Sequence, residues 1–140
     1  MKVALVSLNQ SWEDKEANRL KVRNCFQTIA FRNMDLVIFP EMTLTGFTMN
    51  VKEHAEEAEN SATIRFFTDC ACQYGVYIGF GMILKAGIKA ANHFIIVSPE
   101  GEMCADYIKI HPFSYAGEDR FYEKGKHLTS LEIQGVPIGL

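Results

Sequence analysis

Three ionisable side chains follow apolar stretches of the sequence at places where a strand would end. Glu41 comes just after the apolar run 35–39 and Pro40, which cannot donate a backbone hydrogen bond to a sheet and so stops a strand. Lys109 lies at the end of a second apolar run, and Glu118 follows it by nine residues. A carboxylate can accept a proton, and an ammonium group can stabilise a developing negative charge. In α/β proteins, chemistry tends to be placed at the carboxyl ends of buried strands.

Each of these residues also has a simpler interpretation when it is taken alone. A glutamate after a strand is more often a solvated loop acid. A lysine at a strand end more often extends its ammonium group to the surface. Their function therefore depends on the elements that surround them and on the order in which those elements occur.

The composition is that of a globular protein with one domain. The chain has 140 residues, of which 48% are hydrophobic and 22% are charged, and its net charge is −3. Lysine and arginine do not cluster, so no nucleic-acid partner is expected. The N-terminal apolar run breaks at Ser7, and no stretch approaches the ~20 apolar residues of a membrane span. We predict a cytoplasmic protein that does not contact a membrane.

The four cysteines form no recognised disulfide or metal-binding pattern. Cys70 and Cys72 fall in a segment predicted to be helical, where residues two apart do not face each other. We expect no metal site. All four are predicted to be small buried apolar side chains in a reducing compartment, namely Cys25, Cys70, Cys72 and Cys104.

The first half of the chain predicts alternating strands and helices. A strand over 2–8, covered on both faces, precedes a helix that a capping box opens at Ser11 and Asp14. The strand over 35–39 follows, so a parallel β-α-β unit is expected. A short exposed helix is predicted over 51–59, and a longer helix begins at Asn60 or Ser61 and ends at Gly75. The apolar stripe of the first helix consists of Val22, Cys25, Phe26 and Ile29.

From residue 76 onwards the pattern changes to hairpins. Apolar stretches predict strands over 76–84, 91–98, 103–110 and 128–133, and a proline-containing turn over 98–101. Gly79 and Gly81 do not complete a dinucleotide-binding motif, and they indicate close packing of the backbone instead. The apolar segment 136–140 is typical of the start of a core strand, and we expect it to lack a neighbouring strand.

In their order and spacing, these features resemble the carbon–nitrogen hydrolase (nitrilase/amidase) superfamily. The resemblance runs over the whole chain and rests on Phe-Pro-Glu at 39–41, Gly46-Phe47, Asn92 before an apolar strand, Ser-Pro-x-Gly-Glu at 98–102, and the strand that ends at Lys109. It implies an α/β fold that is the N-terminal part of an α-β-β-α four-layer sandwich. Residues 1–140 would then be a single nitrilase-like domain that is incomplete at its C-terminus.

The resemblance also implies a catalytic Glu-Lys-Cys triad and no cofactor. Glu41 matches the general base of the family, Lys109 matches the lysine, and Glu118 matches a second glutamate that supports the site. The base would activate the thiol, the ammonium group would stabilise the oxyanion, and water would hydrolyse an acyl-thioester. All four cysteines precede Lys109, whereas the family's cysteine follows a strand like 136–140. The chain is therefore expected to end before its nucleophile and to be inactive by itself.

The implied substrate is a small-molecule amide or nitrile. The residues around Glu41 and the sequence Ala116-Gly117-Glu118 are most similar to the ω-amidase branch, which acts on the amides of 2-oxo acids. Exposed apolar surface on an incomplete sandwich predicts a homo-oligomer. The alternative function is a catalytically inactive nitrilase-fold binding or scaffold domain. A generic nucleotide-binding α/β domain is a third possibility, which the absence of a glycine-rich loop disfavours.

Overall fold

The computed structural model describes residues 1–28 and 33–140 of the chain. Helices and strands alternate in the first half, and strands predominate in the second. The elements are β1 (Val3–Leu5), α1 (Lys15–Thr28), β2 (Leu36–Ile38), α2 (Val51–His54), α3 (Ala62–Tyr74), β3 (Tyr77–Ala86), β4 (Lys89–Val97), β5 (Met103–Ile108), α4 (Glu118–Phe121), β6 (Tyr122–Glu123), β7 (Ser130–Ile133) and β8 (Val136–Gly139). Short 3-10 helices lie at Ala58–Asn60 and Ser114–Ala116.

Six strands form one mixed sheet, and β7 and β8 form a separate two-stranded sheet. The order in the large sheet is β1-β2-β3-β4-β5, with β6 also paired to β4. The pairs β1–β2 and β2–β3 are parallel, and the pairs β3–β4 and β4–β5 are antiparallel. The parallel β-α-β opening and the later hairpins predicted from the sequence are therefore confirmed.

Alternating side chains separate two apolar cores on the two faces of the large sheet. One face packs against α1 and α3, and the ring of Phe67 stacks on Phe80 with centroids 4.1 Å apart. The opposite face, through Leu36, Ile96 and Ala105, packs against Ile133 of the β7–β8 hairpin. The layers therefore run helix, sheet, sheet, as expected for part of the predicted α/β sandwich.

The sequence predicted the cap of α3 correctly but not the cap of α1. The Ser61 side chain accepts the N–H of Ile64 (3.0 Å), and Gly75 ends α3 in the left-handed conformation, as predicted. The capping box predicted for α1 is wrong, since the carboxylate of Asp14 accepts the N–H of Ala17 (2.9 Å). Ser11 instead exchanges main-chain hydrogen bonds with the buried amide of Asn18 (both 2.7 Å). Ile29 of the predicted stripe lies outside the described residues.

The two ends of the chain also differ from expectation. β1 has three residues, and its Val3 and Leu5 are 41% and 78% exposed, so it is not covered on both faces. The 136–140 segment does not lack a neighbour, because β8 pairs with β7 in an antiparallel hairpin. Gln134 and Gly135 make this possible, since both take positive φ angles (51° and 77°), as a tight two-residue hairpin turn requires.

The prediction that all four cysteines are buried is wrong for two of them. Cys70 is buried, but Cys72 and Cys104 are exposed. Cys72 follows the buried Ala71 around the helix, and Cys104 alternates with the buried Ala105 along β5, so both point away from the core. Within the described ranges, no helix combines the length and the apolar character needed to cross a membrane.

The segment predicted as one exposed helix over 51–59 is broken by a partly buried glutamate. Glu56 leaves α2 and forms a parallel bridge with Leu84 of β3. Its carboxylate accepts hydrogen bonds from the ammonium group of Lys15 (2.6 Å), the hydroxyl of Ser61 (2.6 Å) and the N–H of Thr63 (3.0 Å). Burial acts to raise the pKa of Glu56, but these hydrogen bonds outweigh it and lower the pKa to about 2. Glu56 thereby joins α1, α3 and β3.

We expect Glu56→Gln to lower the free energy of unfolding at pH 7 by up to about 3 kcal/mol, the amount that corresponds to the lowered pKa. Because the native pKa lies below the unfolded one, this contribution is present above the ordinary glutamate pKa and is lost as the pH falls towards 2. Urea unfolding between pH 2 and 7 measures it. Glu57→Gln, at an exposed position, is the matched control. An equal loss for Glu56→Gln at all pH values would contradict the assignment.

Candidate active site

The ammonium group of Lys109 lies between two carboxylates. Its Nζ is 2.8 Å from Oε1 of Glu41 and 2.9 Å from Oε2 of Glu118. The side chain of Glu118 is fully buried, whereas that of Glu41 is 47% exposed. The structure thus brings together the three residues selected from the sequence. They come from the turn after β2, the end of β5 and the start of α4.

Burial and hydrogen bonding act in opposite directions on the charges of this cluster. Burial acts to raise the pKa of Glu118, but the N–H of Phe113, the ammonium group of Lys109 and the amide of Asn92 hold that pKa below its ordinary value. Burial acts to lower the pKa of Lys109, but its bonds to Glu41 and Glu118 outweigh this and raise the pKa. Glu118 and Lys109 are therefore both charged at neutral pH, and two carboxyl groups share one ammonium group.

The turn that carries Glu41 is held by side chains from the segment after β1 and from α1. Gln10 donates to the carbonyl oxygens of Met42 (2.9 Å) and Thr43 (3.0 Å), and Asn18 donates to that of Leu44 (2.7 Å). Met42 is fully buried and has a φ of 44°, a conformation that costs about 1 kcal/mol or more for a residue with a side chain. The surrounding hydrogen bonds therefore impose one backbone conformation next to Glu41.

Gly81 of β3 allows the turn to lie directly against the sheet. A Cβ atom at this position would be 2.5 Å from the N atom of Met42 and 2.7 Å from the Cα of Glu41. The N–H of Thr43 donates to the carbonyl of Gly81 (2.8 Å) across this contact. The close backbone packing predicted for the glycines of this strand is confirmed for Gly81, and its consequence is the placement of Glu41. Gly79 instead packs against the side chain of Phe94.

The positions of Lys109 and Glu118 depend on a loop that the sequence patterns do not predict. The chain leaves β5 after Lys109, forms the 3-10 helix at Ser114–Ala116 and reverses at Gly117, which has a φ of 78°. Glu118 therefore begins α4 with its carboxylate directed back to Lys109 and to the N–H of Phe113. Local sequence gives only a weak signal for so short a helix, because four residues form few internal hydrogen bonds.

Asn92 belongs to the cluster but is not among the predicted site residues. Its Nδ2 donates to Oε1 of Glu41 (2.7 Å) and to Oε1 of Glu118 (3.0 Å), and the residue is 4% exposed. The sequence does hold a signal for it, since Asn92 occupies an alternating position with Phe94 and Ile96 in an apolar strand. A buried amide at such a position requires partners.

A cavity of about 160 Å³ opens beside the cluster and is lined by Glu41, Gly81, Asn92, His93, Phe94, Tyr107 and Lys109. Phe47 lies at the side of Lys109, with Nζ 5.3 Å from the ring centroid, and is 37% exposed. A larger groove of about 410 Å³ lies between α1 and α3, and none of the three predicted site residues lines it. The small cavity is therefore the one in which the ionisable cluster could meet a ligand.

None of the cysteines in the described residues lies beside this cavity. Cys104 is at the start of β5, opposite the end that carries Lys109, and Cys70 and Cys72 lie on α3 in the helical layer. Burial raises the pKa of Cys70 to about 11 and also raises the pKa of Cys104, so neither thiol is activated. Among the described residues, no three histidine, cysteine or carboxylate side chains form a group suited to a metal ion.

Comparison with known sequences gives matches over nearly the whole chain. A family model described as carbon-nitrogen hydrolase matches residues 2–140. Omega-amidase YafV from Yersinia enterocolitica is 30% identical over 135 residues, which are 96% of this chain and 51% of that protein. The 2-oxoglutaramate amidase from Bacillus subtilis is 26% identical over 87% of this chain and 48% of that protein. The chain thus spans about half the length of these curated relatives.

Solved structures give the same result for the fold. A CN-hydrolase superfamily protein from Xanthomonas campestris, with an arsenic adduct in its active site, superimposes with a TM-score of 0.89 at 26% identity. The match covers 98% of this chain and 51% of that one. An amidase from Nesterenkonia sp. AN1, with an acrylamide adduct on its active-site cysteine, has a TM-score of 0.86 at 14% identity, over 99% of this chain and 56% of that one.

We expect Lys109→Met to lower the free energy of unfolding at pH 7 by about 2–3 kcal/mol, because it leaves the buried Glu118 without its ammonium partner. The control is Lys85→Met, which removes the ammonium group of an exposed ion pair with Glu57 (2.9 Å) and is expected to cost less than about 1 kcal/mol. Urea unfolding of the two variants measures both. Equal losses would show that the cluster is no more coupled to folding than a surface pair.

Proposed function

The chain belongs to the carbon-nitrogen hydrolase family, and we propose that it supplies the base and the ammonium group of an amidase active site. The observation that carries this proposal is the position of Lys109 Nζ, 2.8 Å from Glu41 and 2.9 Å from Glu118, beside an open cavity. Such a cluster places a proton acceptor and a stabilising positive charge within reach of one reacting carbon.

In the proposed reaction, Glu41 takes the proton of a cysteine thiol, and the thiolate attacks the carbon of a substrate amide. The carbonyl oxygen becomes an oxyanion, which the ammonium group of Lys109 stabilises. The carbon–nitrogen bond then breaks, the nitrogen takes the proton from Glu41, and ammonia leaves an acyl-thioester. Water attacks this thioester with Glu41 again as the base, and the acid and the thiol are released.

Glu118 is proposed to hold Lys109 rather than to exchange protons. It is fully buried, and both of its oxygens already accept hydrogen bonds, from Asn92, Lys109 and Phe113. Glu41 has a half-exposed carboxylate in the same cluster. Two carboxylates in such different surroundings favour two different roles.

For the substrate we propose the terminal amide of a 2-oxo acid. The support is the likeness to proteins named omega-amidase and 2-oxoglutaramate amidase, together with the residues around Glu41 and Gly117. A likeness to a nitrilase from Pyrococcus abyssi, 30% identical over 89% of this chain, favours the wider class of small amides and nitriles.

The thiol is proposed to come from outside residues 1–140, within the same nitrilase-like domain. The cysteines of the described chain do not line the cavity, and the relatives are about twice as long as this chain. The 140-residue chain would then be inactive by itself and would be part of a cytoplasmic enzyme. A catalytically inactive binding or scaffold domain is the alternative outcome of the first test below.

We expect the 140-residue chain to release no ammonia from 2-oxoglutaramate above the buffer rate, since loss of a nucleophile lowers hydrolase rates by about a millionfold. A protein extended through the next cysteine of the gene should release ammonia, and Glu41→Gln or Lys109→Ala should lower its kcat at least about a thousandfold. Lys85→Ala is the control. An inactive extended protein that still binds the amide would favour the binding-domain alternative.

A homo-oligomer is proposed for the chain by itself, with β1 at the interface. β1 is an edge strand, and its Leu5 is 78% exposed. Size-exclusion chromatography with light scattering at micromolar concentration should show self-association. Leu5→Lys should reduce it by placing a charge on the edge, whereas Leu20→Lys, at a 60% exposed position on α1, should not. A sharp monomer of the unmodified chain would be evidence against this interface.

A further inference from the structure

Asn92 connects all three residues of the ionisable cluster. Its side-chain amide donates to Oε1 of Glu41 (2.7 Å) and to Oε1 of Glu118 (3.0 Å). Its main-chain carbonyl accepts the N–H of Lys109 (2.9 Å). The residue is 4% exposed, so its own amide and carbonyl groups have little contact with water. One residue of β4 therefore holds both carboxylates by its side chain and the lysine by its backbone.

The orientation of the amide follows from its surroundings. Its two neighbours on this side are carboxylate oxygens, which only accept hydrogen bonds from it. The Nδ2 end must therefore face the cluster, since the carbonyl end would meet like partial charge. Glu41 and Glu118 share a single ammonium group, that of Lys109. The two hydrogens of the Asn92 amide further reduce the repulsion between the two carboxylates.

The consequence for Glu41 is that its two oxygens are not equivalent. Oε1 accepts hydrogen bonds from both Asn92 (2.7 Å) and Lys109 (2.8 Å). In the part of the chain that the structure describes, no group donates to Oε2, and the side chain is half exposed towards the cavity. A proton that Glu41 accepts from a ligand would therefore arrive at Oε2.

We propose that Asn92 is a positioning residue that holds Oε1 of Glu41 and leaves Oε2 as the oxygen that exchanges a proton. The proposal rests on the proposed function of Glu41 as a base, which it makes more specific. Asn92 does not touch the reacting atoms itself.

The test is the titration of the 140-residue chain followed by NMR, which needs no turnover. Carboxyl carbon shifts of Glu41 and Glu118 are assigned with Glu41→Gln and Glu118→Gln. In Asn92→Leu, which has a similar shape but no donor, we expect the Glu41 carboxyl carbon shift at pH 7 to change, because one hydrogen bond to that carboxylate is lost. We also expect the midpoint of Glu118 to rise, because the Asn92 amide helps to hold the pKa of Glu118 below its ordinary value. Asn92→Ser retains one donor and should give smaller changes.

The matched control is Thr63→Val, which removes a hydroxyl donor from Glu56, a partly buried carboxylate on another part of the sheet. It should lower stability and leave the Glu41 carboxyl carbon shift at pH 7 and the Glu118 midpoint unchanged. If Asn92 had a purely structural role, Asn92→Leu would likewise lower stability without changing the NMR signals of Glu41 and Glu118. An unchanged Glu41 carboxyl carbon shift in a folded Asn92→Leu or Asn92→Ser chain would overturn the proposal.

A second measurement on the unmodified chain remains decisive even if those variants do not fold. The side-chain amide proton resonances of Asn92 should shift with the same midpoint as the Glu41 carboxyl carbon, because one of these protons is bonded to that carboxylate. Amide resonances that stay constant through the Glu41 titration would overturn the proposal. Either result is independent of ammonia release, so it is separate from the test of the amidase function.

Discussion

The ammonium group of Lys109 is the interaction on which the rest of the site depends. It binds a fully buried carboxylate, Glu118, and a half-exposed one, Glu41, at 2.9 and 2.8 Å. A buried carboxylate without such a partner would be strongly destabilised. The two bonds span 9 and 68 positions of sequence, so they join the loop after β5 to the turn after β2. Lys109 thus permits Glu118 to be buried and also holds Glu41 at the side of the cavity.

The turn at Glu41 is held in place by contacts that do not involve Lys109. Gly81 lets the turn approach β3, and the amides of Gln10 and Asn18 bind its carbonyl oxygens. A group held in this way does not have to reorganise when charge moves during a reaction, which is where much of the catalytic effect of polar groups arises. The unfavourable backbone conformation of Met42 is tolerated because so many partners define it.

The two faces of the large sheet are covered to different extents. The helical face is a continuous apolar core, whereas the opposite face is covered in part by the β7–β8 hairpin. Leu36 and Ile96 lie under that hairpin, but Leu5 at the edge strand is exposed. The cavity with its charged cluster lies at strand ends on this second face, as the alternation of Asn92 with Ile96 requires. The site therefore faces the less covered side of the sheet.

The sequence by itself predicted the strands other than β6, the ends of α3 and the choice of the three ionisable residues. These depend on local signals, namely apolar runs, the cap at Ser61, the glycine at Gly75, and an order of motifs that resembles one family. Only the tertiary structure decided that Asp14 caps α1, that β8 has a partner and that Cys72 and Cys104 are exposed. Only it placed Asn92 between Glu41 and Glu118. The physical reason is that each of these depends on a choice among several possible partners or packing faces, which is settled when the whole chain is packed.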